Sequence, residues 1–183
     1  MNKPLFLFVG PSGSGKTTAA DFLEAEHGYK QLKSYTTRHK RYDDEGGHIF
    51  ITEEEFDSLQ NIVAYNKYNG CRYCATAKQV EEADIYVIDV PGIEDLLQKY
   101  TNTSRPIYII YFDTTVRTRI DRMYERGDHD TAILSRLHVD EAYDWLKKIH
   151  KITLNSNRNV WIYVVDANKN KSDVIDETLF YMR

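Results

Sequence analysis

The sequence is short of cysteine, with two residues, Cys71 and Cys74, in a chain of 183. Two thiols exclude a disulfide framework and a four-thiolate zinc site. Long apolar runs are missing too. Stretches such as Ile107 to Phe112 are too short to cross a bilayer, and Met1 to Pro4 leads straight into a strand-like run, so the expectation is a cytoplasmic protein with no membrane partner. A net charge of -4 argues against general affinity for nucleic acid, although clustered arginines can still build a local anion site. No internal repeat or low-complexity linker is present. The length suits one domain with a real hydrophobic core, spanning 1–183, as monomer or homodimer. What is plentiful is tyrosine, with 14 residues.

Leu5 to Val9 is a continuous apolar run ending at Gly10, and it reads as a strand buried on both faces. Similar runs recur at Ile85 to Val90, Ile107 to Phe112 and Val160 to Val165. Each is followed by a helical pattern: Lys16 to His27 after the first, then Ile93 to Tyr100, Thr115 to Arg126 and Ser172 to Met182. Strands alternating with helices predict an α/β fold with a parallel sheet covered on both faces. The stretch from Ser34 to Thr76 breaks this rhythm. It is polar and tyrosine-rich, with short alternating pieces at His48 to Ile51 and Val63 to Tyr65 that predict a small mixed or antiparallel subdomain. Gly127 to Asp130 is a breaker between two helical patterns and a candidate mobile lid. One long helix is expected from Thr131 to about Lys151.

Gly10-Pro11-Ser12-Gly13-Ser14-Gly15-Lys16-Thr17 matches G-x-x-x-x-G-K-[ST] at every fixed position, between a buried strand and a helix. The glycines let backbone N–H groups curl round an anion, and the helix start adds its dipole. Lys16 reaches terminal phosphates, and the Thr17 hydroxyl is placed to hold magnesium. Gly10, Ser12, Gly13, Ser14, Gly15, Lys16, Thr17 and Thr18 therefore form the candidate ATP-binding set. Asp89 closes an apolar run where a doubly wound sheet presents groups at strand carboxyl ends, and it reads either as a magnesium-shell or acceptor group or as a cap on the turn at Pro91-Gly92. Arg38 and Arg41 lie in a Ser/Thr/Tyr-rich loop, while Arg122, Arg126 and Arg136 flank the lid. Arg119, Arg122 and Arg126 share one helix face. Guanidiniums closing over a transferring phosphoryl group favour a kinase. Cys71-Arg72-Tyr73-Cys74 has redox spacing but the wrong context, so ordinary packing is expected. His48 fits a phosphate ligand and a surface role equally, and Trp145, Leu146 and Ile149 read as core.

With these residues in hand, the chain resembles guanylate kinases. The ordered pattern comprises the phosphate loop, Ser34-Tyr35-Thr36-Thr37-Arg38 with Arg41, Gly70 to Thr76, Asp89 with Pro91-Gly92, Arg126-Gly127 and Arg136-Leu137. The resemblance implies a P-loop, three-layer, parallel-sheet core with an inserted acceptor-binding subdomain at 34–81 and a lid at 126–136. It implies ATP with Mg2+ as phosphoryl donor. Ser34, Arg38, Arg41, His48, Tyr73 and Asp89 would bind a small phosphorylated acceptor, and Lys16, Arg38, Arg126 and Arg136 would be the catalytic set.

Three departures bear on the acceptor. The glutamate that reads guanine in the family is Ala64 here, its assisting serine or threonine is Ala75, and the tyrosine that helps bind acceptor phosphate is replaced by His48 in a shortened loop. A polar pair bonded to a base rejects analogues by about 10⁴ to 10⁵, so two alanines remove the usual source of guanine selectivity. Asn66 or Asn69 is an alternative reader. The segment Glu45-Gly46-Gly47-His48-Ile49 followed by Glu55-Phe56 is similar to ribose 1,5-bisphosphate phosphokinases, which also lack the glutamate. Ser34, Arg38 and Arg41 together look more like the nucleotide-kinase arrangement. A non-catalytic peptide-binding module of guanylate-kinase-like type is the third reading, set against an intact phosphate loop.

Overall fold

The structure is a computed structural model that describes residues 3–40, 43, 45–68, 70–141 and 144–183. Arg41 and Asn69 lie outside the described residues. In chain order the elements are β1 (Leu5–Val9), α1 (Lys16–His27), β2 (Ser34–Thr36), β3 (His48–Phe50), α2 (Glu53–Ser58), β4 (Ile62–Tyr68), β5 (Cys71–Thr76), α3 (Ala77–Glu82), β6 (Ile85–Val87), α4 (Val90–Lys99), β7 (Ile107–Asp113), α5 (Val116–Glu125), α6 (Asp130–Glu141), α7 (Trp145–Leu154), β8 (Val160–Asp166) and α8 (Lys171–Tyr181).

The four long apolar runs become one parallel sheet of order β6-β1-β7-β8, extended past β6 by a bridge between Gln31 and Ile85. Side chains alternate across it. Leu5, Leu7 and Val9 join Ile107, Ile109 and Tyr111 on the face covered by α4 and α7, while Phe6 and Phe8 join Ile110 and Phe112 on the face covered by α1 and α8. Both faces of β1 are therefore buried, which is why its sequence shows no polar alternation.

The break at 34–76 is a second, mixed sheet of order β3-β2-β5-β4, in which β2 and β3 are parallel and the other pairs antiparallel. It is joined to the first sheet by apolar packing. Val63, Ala64 and Ala75 share a core with Ile93, Leu96 and Leu97 of α4 and with Leu7 and Val9 of β1. The carboxyl ends of β1 and β6 thus face the second sheet across a shared cavity.

Two boundaries differ from the sequence expectation. The strand expected from Ile85 to Val90 stops at Val87, because Asp89 caps α4 by accepting from Gly92 N–H at 2.8 Å, and Pro91 sits in the first turn. The single helix expected from Thr131 to Lys151 is two helices, α6 and α7. Asp144 starts the second, its side chain accepting from Lys147 N–H at 3.1 Å. This cap satisfies a donor that a continuous helix would have bonded internally. Asp144→Ala is expected to cost about 1 kcal/mol in chemical denaturation, the usual loss for an N-cap.

Candidate functional site: a cavity between the phosphate loop and the second sheet

The glycine-rich loop runs from Gly10 at the end of β1 to Gly15, which caps α1 in a left-handed conformation with φ 93°. Two of its glycines are forced by close backbone approach. A Cβ on Gly10 would meet the carbonyl oxygen of Phe112 at 2.8 Å, and one on Gly13, whose φ is 77°, would meet that of Arg119 at 2.8 Å. Lys16 donates to Pro11 O at 2.8 Å and to Ser14 Oγ at 3.1 Å, so its ammonium arches back over the loop. Desolvation of that enclosed ammonium pushes it down to about 8, with Asp140 acting in the opposite direction.

A cavity of about 300 Å³ opens beside this loop. Gly10, Ser12 and Lys16 bound it on one side. On the other, Ser34 from β2, His48 from β3 and Tyr73 from β5 face it, with Asp89 from the start of α4. Ser34 Oγ and His48 Nδ1 lie 2.9 Å apart, and the His48 ring meets Tyr73 edge to face at 5.6 Å. The structure therefore brings together Gly10, Ser12, Lys16, Ser34, His48, Tyr73 and Asp89. Thr17 and Thr18 are exposed in the first turn of α1.

Asp89 does both things its position allowed. It caps α4 and lines the cavity, where Asn66 Nδ2 donates to its second oxygen. Burial pushes its carboxyl up from the usual range, opposed by the bonds from Gly92 and Asn66. Ala64 and Ala75 are cross-strand partners, both fully buried, and neither brings a polar atom to the cavity.

The expected catalytic arginines are placed differently. Arg38 does not line the cavity. Its two terminal nitrogens bond Glu45 at 3.1 and 2.7 Å, while its Nε is buried with no hydrogen-bond partner among the described residues. Arg126 and Arg136 also stay outside, because both donate to Asp128 Oδ2, Arg136 at 2.8 Å. Arg126 and Gly127 terminate α5, with Asp128 N–H bonded back to Met123 O at 3.0 Å, so the candidate lid is a tight link between α5 and α6. Met123, Ile133 and Leu137 pack these two helices together.

Further residues reach the site beyond the expected binding and catalytic sets. Arg119 bonds Ser12 O at 2.8 Å and Asp140 at 2.6 Å, Arg122 reaches Ser14 O at 3.4 Å, and Tyr68, Tyr86 and Trp145 line the cavity. The arginine stripe on α5 was the available signal for the first two. Trp145, expected as core, packs against the core and also lines the cavity. Cys71 and Cys74 both lie on β5, with Cys74 buried and its thiol pushed up to about 11 by desolvation, as suits packing and not redox chemistry.

With this geometry in place, comparison with known proteins decides the family. A family profile described as an AAA domain matches residues 5–149, more than half of the chain. The chain belongs to this AAA-domain family. It is similar to guanylate kinase of Bartonella quintana, at 27% identity over 72% of this chain and 63% of the relative. It is similar to that of Helicobacter pylori at 32% over 54% of this chain and 53% of the relative, and to that of Fusobacterium nucleatum at 28% over 83% and 88%. The chain thus spans only 63% and 53% of the lengths of the first two. Among solved structures, guanylate kinase from Anaplasma phagocytophilum matches all of this chain and 86% of its own with a TM-score of 0.54 at 16% identity, a likeness of fold. The α/β, P-loop, parallel-sheet architecture agrees with the fold expected from the sequence.

Gly13→Ala is expected to lower stability by about 1–3 kcal/mol in urea unfolding, since it adds both a left-handed backbone penalty and a contact with Arg119 that backbone cannot relieve.

Proposed function

We propose that the protein is an ATP-dependent kinase that passes the γ-phosphoryl group to the phosphate of a small acceptor, with GMP or dGMP the first candidates. The observation that carries this reading is the shared cavity, which has a complete phosphate loop on one side and Ser34, His48, Tyr73 and Asp89 on the other. Two phosphates held on these opposite walls would meet in line. No side-chain base is required, because an acceptor phosphate is already anionic, and positioning with charge neutralisation supplies the rate. Lys16 would bind the donor's terminal phosphates. Arg38, whose Nε is an unpaired buried donor, would bind acceptor phosphate, with Arg41 as its partner from the same loop. Arg126 and Arg136 would reach the transition state by exchanging Asp128 for the transferring group.

Among the described residues no cluster of three or more His, Cys, Asp or Glu side chains is placed to hold a metal by itself. Magnesium bound through nucleotide phosphates needs only one or two protein groups. The Thr17 hydroxyl fits that role, being exposed at the first turn of α1 with no hydrogen-bond partner among the described residues. When bound, the ion would neutralise phosphate charge.

The second reading, a kinase of a base-free sugar phosphate such as ribose bisphosphate, is favoured by the apolar Ala64–Ala75 pair. No helix among the described residues is long and apolar enough to cross a membrane. The units proposed for this activity are the subdomain at 34–81 as the acceptor side and 126–136 as the lid, in one domain working in the cytoplasm.

ADP release measured with ATP against all common ribo- and deoxyribonucleoside monophosphates and ribose bisphosphate separates the readings. Turnover with a guanine nucleotide supports the first, and turnover with ribose bisphosphate alone supports the second. Lys16→Ala is expected to lower kcat by about 10² to 10³ with unchanged unfolding; near-normal turnover sinks the mechanism. Because a neutral amine attracts phosphate weakly and Lys16 deprotonates at about 8, MgATP affinity is expected to fall as pH rises from 7 to 9.

A further inference from the structure

We propose that Asp140 is a built-in competitor for the phosphate loop, a carboxylate that the terminal phosphate of an incoming nucleotide must displace. The inference rests on the reading of the loop as a nucleotide site. Asp140 lies on α6, outside the glycine-rich motif, yet its Oδ2 accepts from Ser12 N–H at 2.9 Å. Backbone N–H groups of such a loop are the donors that bind phosphate oxygens. The carboxylate is buried, at 8% exposure, and it lines the cavity together with Ser12 and Lys16. It is not held there by chance contact.

Arg119, itself 4% exposed, donates to the same Oδ2 at 2.6 Å and through its Nε to Ser12 O at 2.8 Å. One buried ion pair therefore grips both backbone polar groups of Ser12, its N–H and its C=O. Asp140 also acts on Lys16, whose ammonium it stabilises against desolvation. The carboxylate thus uses, in part, three groups that suit a polyphosphate: the Ser12 amide, the Arg119 guanidinium and the field of Lys16. A phosphate and a carboxylate cannot share these partners, because two anions within a few ångströms in a desolvated site repel strongly.

The consequence is a coupling between the loop and the helix that follows the lid. α6 begins two residues after Asp128, which binds Arg126 and Arg136, and ends beside Asp140. Displacing Asp140 releases the far end of the helix that carries Arg136. Trp145 Nε1 donates to Asp140 O at 3.3 Å, so the junction with α7 is tied into the same contact. Arg119, freed from Asp140, is then available to the incoming anion.

The test is calorimetric titration of MgATP into the wild-type chain and into Asp140→Asn, which keeps the shape and removes the charge. Removing the competitor is expected to tighten MgATP binding about tenfold, the scale of a hydrogen bond to a charged group. A merely structural role for Asp140 predicts the opposite sign. Wild-type binding with equal or weaker binding by the folded variant overturns this inference and leaves the kinase reading standing. Absence of MgATP binding by both proteins overturns both. Should Asp140→Asn fail to fold for want of a counter-charge to Arg119, the Arg119 side-chain N–H signals of the wild-type protein are followed by NMR instead. Saturating MgATP is expected to shift them, and unchanged signals under saturation overturn the proposal.

Discussion

The phosphate loop is backbone packed against backbone, and much else in the site follows from that. Gly10 lies so close to the Phe112 carbonyl, and Gly13 to that of Arg119, that neither position has room for a Cβ. The loop is consequently wedged between the end of β7 and the helix α5. Its N–H groups take their direction from that wedge and not from side chains of the loop itself. The arrangement also fixes where α5 can lie, and with it the stripe of Arg119, Arg122 and Arg126. A motif that looks local is therefore a tertiary contact, because its glycines are demanded by residues a hundred positions away.

A second constraint comes from α4. Its apolar face is shared by both sheets, and its N-cap, Asp89, points into the space between them. The capping role and the cavity role of Asp89 are one and the same. Capping at Gly92 fixes one oxygen of the carboxylate, and the other is thereby turned toward Asn66. Burial favours the neutral form while two donors favour the ionised one, which makes this group sensitive to whatever enters beside it.

The sequence made the first sheet and the loop legible because both are strongly patterned. Runs buried on both faces lack polar residues, and the G-x-x-x-x-G-K-T spacing is set by chemistry. The second sheet was legible only as a break in rhythm, since β2 and β3 are three residues each and β4 and β5 are only partly buried. The resemblance to guanylate kinases pointed to Ser34, His48 and Tyr73, but sequence could not say that Ser34 and His48 touch, because that needs the β2–β3 register. The split between α6 and α7 was missed for a related reason: the cap at Asp144 is one acid among many in a polar stretch. Asp140 was invisible on the same grounds, since nothing in a helical acid's neighbours foretells a partner such as Ser12, distant in sequence.

The arginines show where sequence reasoning about sites reaches its limit. It counted guanidiniums near a phosphate loop and inferred that they converge on phosphate, but each of them among the described residues has a carboxylate or carbonyl partner within the fold. Arg38 bonds Glu45, Arg126 and Arg136 bond Asp128, and Arg119 bonds Asp140. Such pairing follows from electrostatics, because a cation withdrawn from water without a partner costs more than the fold can offset. Paired cations still bind phosphate, provided the phosphate offers more than the carboxylate it replaces. In the proposed kinase the doubly charged phosphoryl group would meet that condition, and a singly charged competitor in each pair would make each such binding step an exchange of anions. Specificity for a highly charged ligand would then arise from the exchange itself, without any residue dedicated to rejecting weaker anions.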